Sequence, residues 1–186
     1  MPAWKQRLSK SLHQTRSMPE SRYFQLATVT NDVLPANRTV VFRYMDDDDL
    51  ALAIIADTRS AKWQELQLQP QAEICWYFSK SREQYRFKVE ARLHTMDDKP
   101  ELITQQWERL SETGRKQYFW GTPGAARNNA APLRALDDMS QPPAHFCVIK
   151  FHVSTVDYLS LQGNPQFREK HWMDEQANWV SQPVIP

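Results

Sequence analysis

The alternation of apolar and polar side chains is clearest in residues 85–93. Tyr85, Phe87, Val89, Ala91 and Leu93 alternate with charged residues, which is the pattern of an antiparallel strand with one face in a core. Runs rich in aromatic and β-branched side chains predict further strands over 23–30, 37–44, 50–55, 72–78 and 145–161, and a last short strand that includes 167–168. Apolar side chains at wider, helical spacing predict helices over 4–12, 63–68, 99–111 and 115–120.

This order of elements favours a mainly β fold with flanking helices. Most strands are separated by hairpin-length turns, and one helix stands between the strands 50–55 and 72–78. Such a chain predicts a compact antiparallel barrel rather than a doubly wound sheet, whose strands alternate with helices. Without a linker or repeat, residues 1–186 are predicted to form one domain. The polar segment 111–138 is compatible with either an ordered lid or a mobile loop.

Charge and motif content exclude several classes of protein. Lys and Arg number 23 and Asp and Glu 22, so neither a nucleic-acid nor a membrane partner is predicted. The N-terminus lacks the apolar core of a signal peptide and no apolar run is long enough to cross a bilayer, which predicts a soluble, cytoplasmic protein. The histidines lack zinc-ligand spacing and the acidic run 46–49 suits a solvated hairpin tip, so no metal site is predicted.

Residues 56–63 connect a predicted buried strand to a predicted helix through Asp57, Arg59, Ser60 and Lys62. Free amides at a helix start, beside two cationic side chains, are suited to an anion such as phosphate. The alternative is an ordinary N-cap with two solvated charges. Cationic and amide groups also stand at the ends or edges of other apolar strands: Arg38, Arg43, Gln84 and Arg168. Such a set suits a flat, electron-deficient ring with a phosphate tail, although each residue alone could form a surface salt bridge.

Several motifs, taken in order, resemble those of the pyridoxamine 5'-phosphate oxidase-like flavoproteins. They are Phe24–Val29, Asn37–Arg43, Asp57–Lys62, Cys75–Phe78, Arg82–Arg86 and Tyr118–Gly124, and the resemblance covers roughly residues 3–170. The resemblance implies an FMN-binding split β-barrel that forms a homodimer. It further implies one FMN in each of two clefts at the subunit interface.

The resemblance also implies roles for individual residues. Arg38 and Lys62 would contact the FMN phosphate, and Ser60 would support the phosphate turn. Gln84 would hydrogen-bond the flavin. The remaining implied contacts are Thr39, Val40 and Val41 beside the isoalloxazine ring, Tyr158 and Arg168 reaching the flavin from the other subunit, and Arg43 and Tyr118 on the substrate side. The oxidases have an arginine where this chain has Ala61, and we hypothesise that Arg59 replaces it. No catalytic acid or base is assigned.

The chain departs from the oxidases where they hold the phosphate of their vitamin substrate. Four positions of that phosphate-binding site are occupied here by Thr122, Ala126, Asn164 and Gln166. A Gln–Ser pair that helps bind FMN in the oxidases is replaced by Ala135 and Leu136. Charge-assisted contacts are worth about 1.5–3 kcal/mol each, so little or no pyridoxamine-phosphate oxidase activity is predicted. Three functions remain open: an FMN-dependent oxidoreductase acting on an unidentified small substrate, a non-enzymatic flavin- or haem-binding storage protein, and a genuine oxidase with a rearranged substrate site.

Overall fold

One antiparallel sheet of nine strands forms the body of the described chain. The computed structural model describes residues 1–46, 50–127 and 138–186. The strands are β1 (Tyr23–Val29), β2 (Pro35–Val41), β3 (Tyr44–Asp46), β4 (Ala51–Asp57), β5 (Gln71–Phe78), β6 (Glu83–His94), β7 (Phe146–Ser160), β8 (Phe167–Met173) and β9 (Trp179–Val184). The α-helices are α1 (Ala3–Gln14), α2 (Ala61–Leu68), α3 (Pro100–Glu108) and α4 (Glu112–Lys116). Hydrogen-bonded strands follow the order β2-β1-β5-β6-β7-β4-β3, and β8 pairs with β7 and β9.

The two ends of this strand order lie close together, so the sheet curves into a barrel. β2 and β3 stand at opposite ends of the order but are joined only by Phe42 and Arg43, a connection that spans at most about 11 Å. The Phe42 amide donates to the Arg22 carbonyl (2.7 Å), and the Arg43 amide donates to the Ala53 carbonyl on β4 (2.9 Å). The chain therefore crosses between the sheet ends at this corner, and the predicted antiparallel barrel is confirmed.

Strand β7 lies between two apolar layers. Cys147 and Ile149 face the barrel interior, which alternate residues of the other strands also fill, and Trp4 and Leu8 of α1 are buried in this core. Phe146 and Val148 face the other way, into a smaller cluster with α3. Tyr118 and Phe119, in a 3-10 turn at Gln117–Phe119, pack against this second cluster. The outer cluster therefore fixes the position of the segment around Tyr118.

The structure differs from the apolar pattern at three strands. The predicted strand 37–44 is broken at 42–43, because these residues leave β1 and turn onto β4. Strand β9 was not predicted, because several of its side chains are polar or exposed and its apolar pattern is weak. Strand β8 also continues beyond Arg168 to Met173.

Some predictions lie outside the described residues. They concern Asp47–Asp49 in the predicted hairpin tip, Ala135 and Leu136, and the part of the predicted lid or loop between 128 and 137. Within the described ranges, no helix has both the length and the apolar character needed to span a bilayer.

Candidate functional site

The turn between β4 and α2 is held by its own hydrogen bonds. The Ser60 hydroxyl donates to the Asp57 carbonyl (2.6 Å), and the Ser60 amide donates to the same oxygen (3.0 Å). Ser60 occupies the N-cap position of α2, but its side chain accepts no capping bond there. The side chain thus stabilises the turn itself. The first amides of α2 precede the helical hydrogen-bond ladder and need partners from outside it.

Lys62 lies one residue inside this helix and is a half-buried cation. Its Nζ donates to Ser60 Oγ at 3.2 Å. Among the described residues, no carboxylate is within ion-pair distance of this ammonium group. Burial is the main cause that lowers the Lys62 pKa, and the charge of Arg38 adds to it, whereas Asp57 and Glu65 act in the opposite direction. An anion bound beside Lys62 would compensate for the lost hydration of the ammonium group.

Arg38 reaches α2 from the neighbouring strand β2. Its Nη2 donates to Glu65 Oε2 (2.7 Å), and its Nη1 contacts Thr28 Oγ1 and the Leu26 carbonyl. Thr28 Oγ1 donates to the same Glu65 oxygen at 2.6 Å. A guanidinium carries five N–H donors, so these contacts leave Arg38 able to donate further. The structure therefore places Ser60 and Lys62 at the start of α2 and Arg38 against Glu65, one turn further along the same helix.

Arg59, which the sequence suggested as a substitute phosphate ligand, is held by other partners. Its Nε is 3.0 Å from Asp57 Oδ1, and its Nη2 is 2.7 Å from Oδ2. The same Nη2 donates to the carbonyls of Gly121 (3.1 Å) and Tyr118 (3.4 Å). Burial would raise the Asp57 pKa, but the hydrogen bonds from Arg59 outweigh it and the pKa falls below its usual value. This geometry favours a role for Arg59 in positioning the Tyr118 segment.

Tyr118, which is assigned with Arg43 to the substrate side, is held by His145 and Phe146. The His145 ring donates from Nε2 to the Tyr118 carbonyl (2.7 Å), and the Tyr118 ring packs edge-on against Phe146 at 4.9 Å. Burial raises the Tyr118 pKa, and the positive charge of Arg43 opposes that rise. Burial also lowers the Arg43 pKa, with Tyr118 acting in the opposite direction. The two side chains are therefore electrostatically coupled.

The predicted ring-contacting stretch of β2 alternates between two faces. Val40 is buried in the barrel core, whereas Thr39 and Val41 are exposed. In the described part of the chain β2 pairs only with β1, so the other edge of its backbone is open. A ring lying along this strand would meet the side chains of Thr39 and Val41 and the main chain of Val40.

Gln84 and Arg168 lie on the outward face of the sheet, in one cross-strand row. Tyr77 pairs with Gln84, Gln84 with Leu159, and Leu159 with Arg168. Strands lie about 4.8 Å apart, and Arg168 is five strands from Val41, roughly 24 Å along the sheet. Arg168 thus lies far from β2 along the sheet.

Tyr158 differs from Arg168 in orientation. Its ring is buried, 5.0 Å from that of Tyr85, and its hydroxyl donates to Glu83 Oε1 at 2.6 Å. Arg168 instead forms two hydrogen bonds with Asp157, Nε to Oδ1 at 2.9 Å and Nη2 to Oδ2 at 2.7 Å. The structure places the two residues on opposite faces of the sheet.

Sequence reasoning assigned no role to three residues that position this site. They are Asp57, His145 and Asp157, each hydrogen-bonded to a predicted site residue or its backbone. The i, i+2 spacing of Asp57 and Arg59 was a usable signal, because a turn can bring such side chains together. His145 and Asp157 carried no local signal, since their partners are 27 and 11 residues away.

Comparison with known proteins identifies a family for this chain. A family model described as pyridoxamine 5'-phosphate oxidase, FMN-binding domain, matches residues 1–95. The chain is 33% identical to pyridoxine/pyridoxamine 5'-phosphate oxidase 2 of Arabidopsis thaliana, over 94% of this chain and 96% of that protein.

Two solved structures have the same fold. A pyridoxamine 5'-phosphate oxidase-related, FMN-binding protein of Nostoc punctiforme PCC 73102 is 37% identical, with a TM-score of 0.92 over 100% of this chain and 99% of that chain. PhzG of Burkholderia lata 383, in complex with tetrahydrophenazine-1-carboxylic acid, is 15% identical, with a TM-score of 0.78 over 98% and 91% of the two chains. The family model covers more than half of the sequence and the Arabidopsis protein matches nearly all of it, and the chain therefore belongs to the family of the pyridoxamine 5'-phosphate oxidase FMN-binding domain.

Proposed function

We propose that this protein binds FMN as a homodimer and uses it as an oxidoreductase on a small molecule. The observation that carries the proposal is the pair of cations at the start of α2. Within the described ranges, the half-buried Lys62 has the Ser60 hydroxyl as its only hydrogen-bond partner. Arg38 is close enough for its charge to lower the Lys62 pKa. A phosphate dianion would accept bonds from both side chains and from the first helical amides.

The remaining assigned residues suit the ring of the same cofactor. The open edge of β2 offers main-chain groups, and Thr39 and Val41 offer exposed side chains. FMN, when bound, supplies a ring that accepts and returns a hydride. The task of the protein is then to hold that ring and to limit the approach of water and substrate.

A second copy of the chain would complete the site. Arg168 lies five strands from β2, roughly 24 Å along the sheet, which favours contact with the flavin of the partner subunit. The outward face also exposes apolar surface: Tyr23 and Tyr77 are each 43% exposed and Val41 is 36% exposed. Apolar surface gathered on one sheet face favours a protein interface, and a homodimer would deliver Arg168 to the flavin of its partner.

The substrate is proposed to differ from that of the Arabidopsis relative, whose name specifies pyridoxine and pyridoxamine 5'-phosphate. Thr122 and Ala126 are uncharged and exposed where the oxidases carry phosphate-binding side chains. Asn164 and Gln166 likewise offer no charge near the C-terminus. A substrate phosphate would lose several charge-assisted contacts at these positions.

The first test is the absorbance spectrum of the purified protein, followed by titration with FMN. We expect the visible bands of oxidised flavin, or their appearance on reconstitution. A colourless protein that takes up no FMN would overturn the proposal, and a haem Soret band would favour a haem-binding role. With FMN bound, we expect no oxygen consumption with pyridoxamine 5'-phosphate, and steady turnover would contradict our assignment of Thr122 and Gln166.

A second test separates Arg59 from the phosphate ligands. Arg59→Ala should leave FMN affinity within about threefold of the unchanged protein, because its guanidinium binds Asp57 and two carbonyls. It should raise amide hydrogen exchange in residues 117–122, which lose an anchor. Exchange mass spectrometry and FMN titration measure the two effects, with Arg92→Ala on β6 as an exposed control. A loss of FMN affinity of tenfold or more without faster exchange would restore Arg59 as a phosphate ligand.

A further inference from the structure

We infer that helix α1 is held on the barrel by a pH-sensitive contact and undocks when His171 gains a proton. Trp4 and Leu8 of this helix are buried in the core, and the Trp4 ring lies edge-on to Trp179 of β9 with centroids 5.4 Å apart. Within the described residues, no backbone hydrogen bond joins α1 to a strand. Side-chain contacts therefore hold the helix in this part of the chain, and it can leave without breaking a strand ladder.

An ion pair between α1 and β8 lies at the centre of this contact. Arg7 Nη1 donates to Glu169 Oε2, and the Ser181 hydroxyl of β9 donates to the other oxygen of the carboxylate at 3.3 Å. His171 lies two residues beyond Glu169, on the same face of β8, with its Nε2 3.1 Å from Glu169 Oε2. Glu169 is 8% exposed and His171 3% exposed, so solvent screens their charges little.

This cluster is electrically balanced only while His171 is neutral. Arg7 already neutralises the single negative charge of Glu169, so a proton on His171 would leave one positive charge in excess at a buried site. Among the described residues His171 Nε2 also has no hydrogen-bond partner, despite its short distance to Glu169. The carboxylate is therefore poorly aligned with the ring and does not offset the added charge.

The other ionisable side chains beneath α1 do not supply a counter-charge. Glu83 is bound by the hydroxyls of Tyr158 (2.6 Å) and Ser11 (2.8 Å), one helical turn beyond the ion pair. Burial raises the pKa of both Tyr85 and Tyr158, so both stay neutral as the pH falls. Lys5 of α1 is also buried, and its charge is positive.

The pKa of His171 gives the direction of the effect. Burial is the largest cause that lowers this pKa below its ordinary 6.5; the charge of Glu169 opposes the lowering, and that of Arg7 adds to it. A histidine with a lower pKa in the docked state disfavours that state once the undocked ring takes up a proton. Docking of α1 should therefore weaken as the pH falls through 6.5.

Undocking would also change the surroundings of the proposed flavin residues. The Arg7 guanidinium carbon lies 4.9 Å from the ring centroid of Tyr158 and 5.4 Å from that of Phe167, and Phe167 directly precedes Arg168. Acid should therefore weaken FMN binding as α1 is released. This consequence rests on the proposed function, whereas the movement of α1 requires no flavin.

Hydrogen exchange of the full-length protein without FMN tests the inference. After correction for the intrinsic exchange rate, protection of the α1 amides should fall at least about threefold between about pH 7.5 and about pH 5.5, whereas protection of β6 should not. His171→Gln cannot take up the proton and should abolish this fall. His13→Gln removes an exposed histidine of α1 itself and should leave the fall unchanged.

An NMR titration of the His171 ring in the unchanged protein gives a second measure, which decides the question even if His171→Gln does not fold. Its midpoint should lie below 6.5. The inference is overturned by a midpoint at or above that value, by α1 protection that does not change with pH, by a full fall in His171→Gln, or by equal loss of protection in α1 and β6.

FMN titration at the same pH values tests the consequence for the flavin. We expect weaker binding at the lower pH in the unchanged protein and a smaller change in His171→Gln. Equal affinity at both pH values, with α1 released at the lower one, would refute the link to the flavin. A protein that binds no FMN at any pH would refute the proposed function, and the exchange result would still decide whether α1 undocks.

Discussion

The double variant Arg38→Ala/Lys62→Ala is expected to bind FMN at least about a hundredfold more weakly than the unchanged protein. Each charge-assisted contact to a phosphate contributes about 1.5–3 kcal/mol, and about 1.4 kcal/mol corresponds to a factor of ten. Quenching of FMN fluorescence on binding gives the dissociation constants. The single variants should each lose about tenfold or more, and unchanged affinity in both would refute the phosphate assignment.

Glu65→Gln is the matched control for Arg38. Glu65 is largely buried and accepts bonds from both Arg38 and Thr28, so Arg38→Ala leaves an unpaired carboxylate and destabilises the fold by about 2–4 kcal/mol. Glu65→Gln also disturbs this network but keeps the guanidinium. We expect it to retain FMN affinity within about threefold. An equal loss of FMN affinity in Glu65→Gln and Arg38→Ala would mean that the effect arises from the Arg38–Glu65–Thr28 hydrogen bonds rather than from a contact of Arg38 with the phosphate.

Asp157→Asn is expected to lower the free energy of unfolding by about 2–3 kcal/mol at neutral pH. Asp157 is the shared partner of Arg168 and Arg86, with Nη2 to Oδ2 distances of 2.7 and 2.6 Å. Arg86 is the more exposed of the two arginines, so its ion pair with Asp157 contributes less to the free energy of unfolding. Urea unfolding measures the change. Glu73→Gln, at a neighbouring outward position, is the control and should change stability by less than about 0.5 kcal/mol.

The same residue predicts a pH dependence with a defined sign. The hydrogen bond from Arg168 is the largest cause that lowers the Asp157 pKa, to about 2 from its ordinary 3.8. A carboxyl group with a lower pKa in the folded state stabilises that state above its unfolded pKa and loses the contribution as pH falls. The stability difference between the unchanged protein and Asp157→Asn should therefore shrink by about 2 kcal/mol between pH 4 and pH 2. A constant difference across this range would contradict the role of Asp157.

The sequence predicted most of the barrel because the strands have strong, simple patterns. β6 is the clearest case, since its alternation marks both its extent and its buried face. The break at Phe42 was missed for a physical reason: Phe42 belongs to the core, so its apolar character continues the pattern of β2 while the backbone changes partners.

The candidate site was predicted less completely than the fold. Arg38, Ser60 and Lys62 come from motifs, and the structure brings them together around α2. The pairing of Arg168 with Asp157 depends on strand register, and the contacts of Arg59 with the Tyr118 and Gly121 carbonyls join distant parts of the chain, neither of which local patterns encode.

The central place of β7 also has a consequence for synthesis of the chain on the ribosome. β7 pairs with β4, β6 and β8, yet it begins only at Phe146. Until that residue has emerged, β4 and β6 each lack a neighbour, and a nascent chain would present two open strand edges. Open edges are the surfaces on which chains associate wrongly, so the last quarter of the sequence is what removes this hazard.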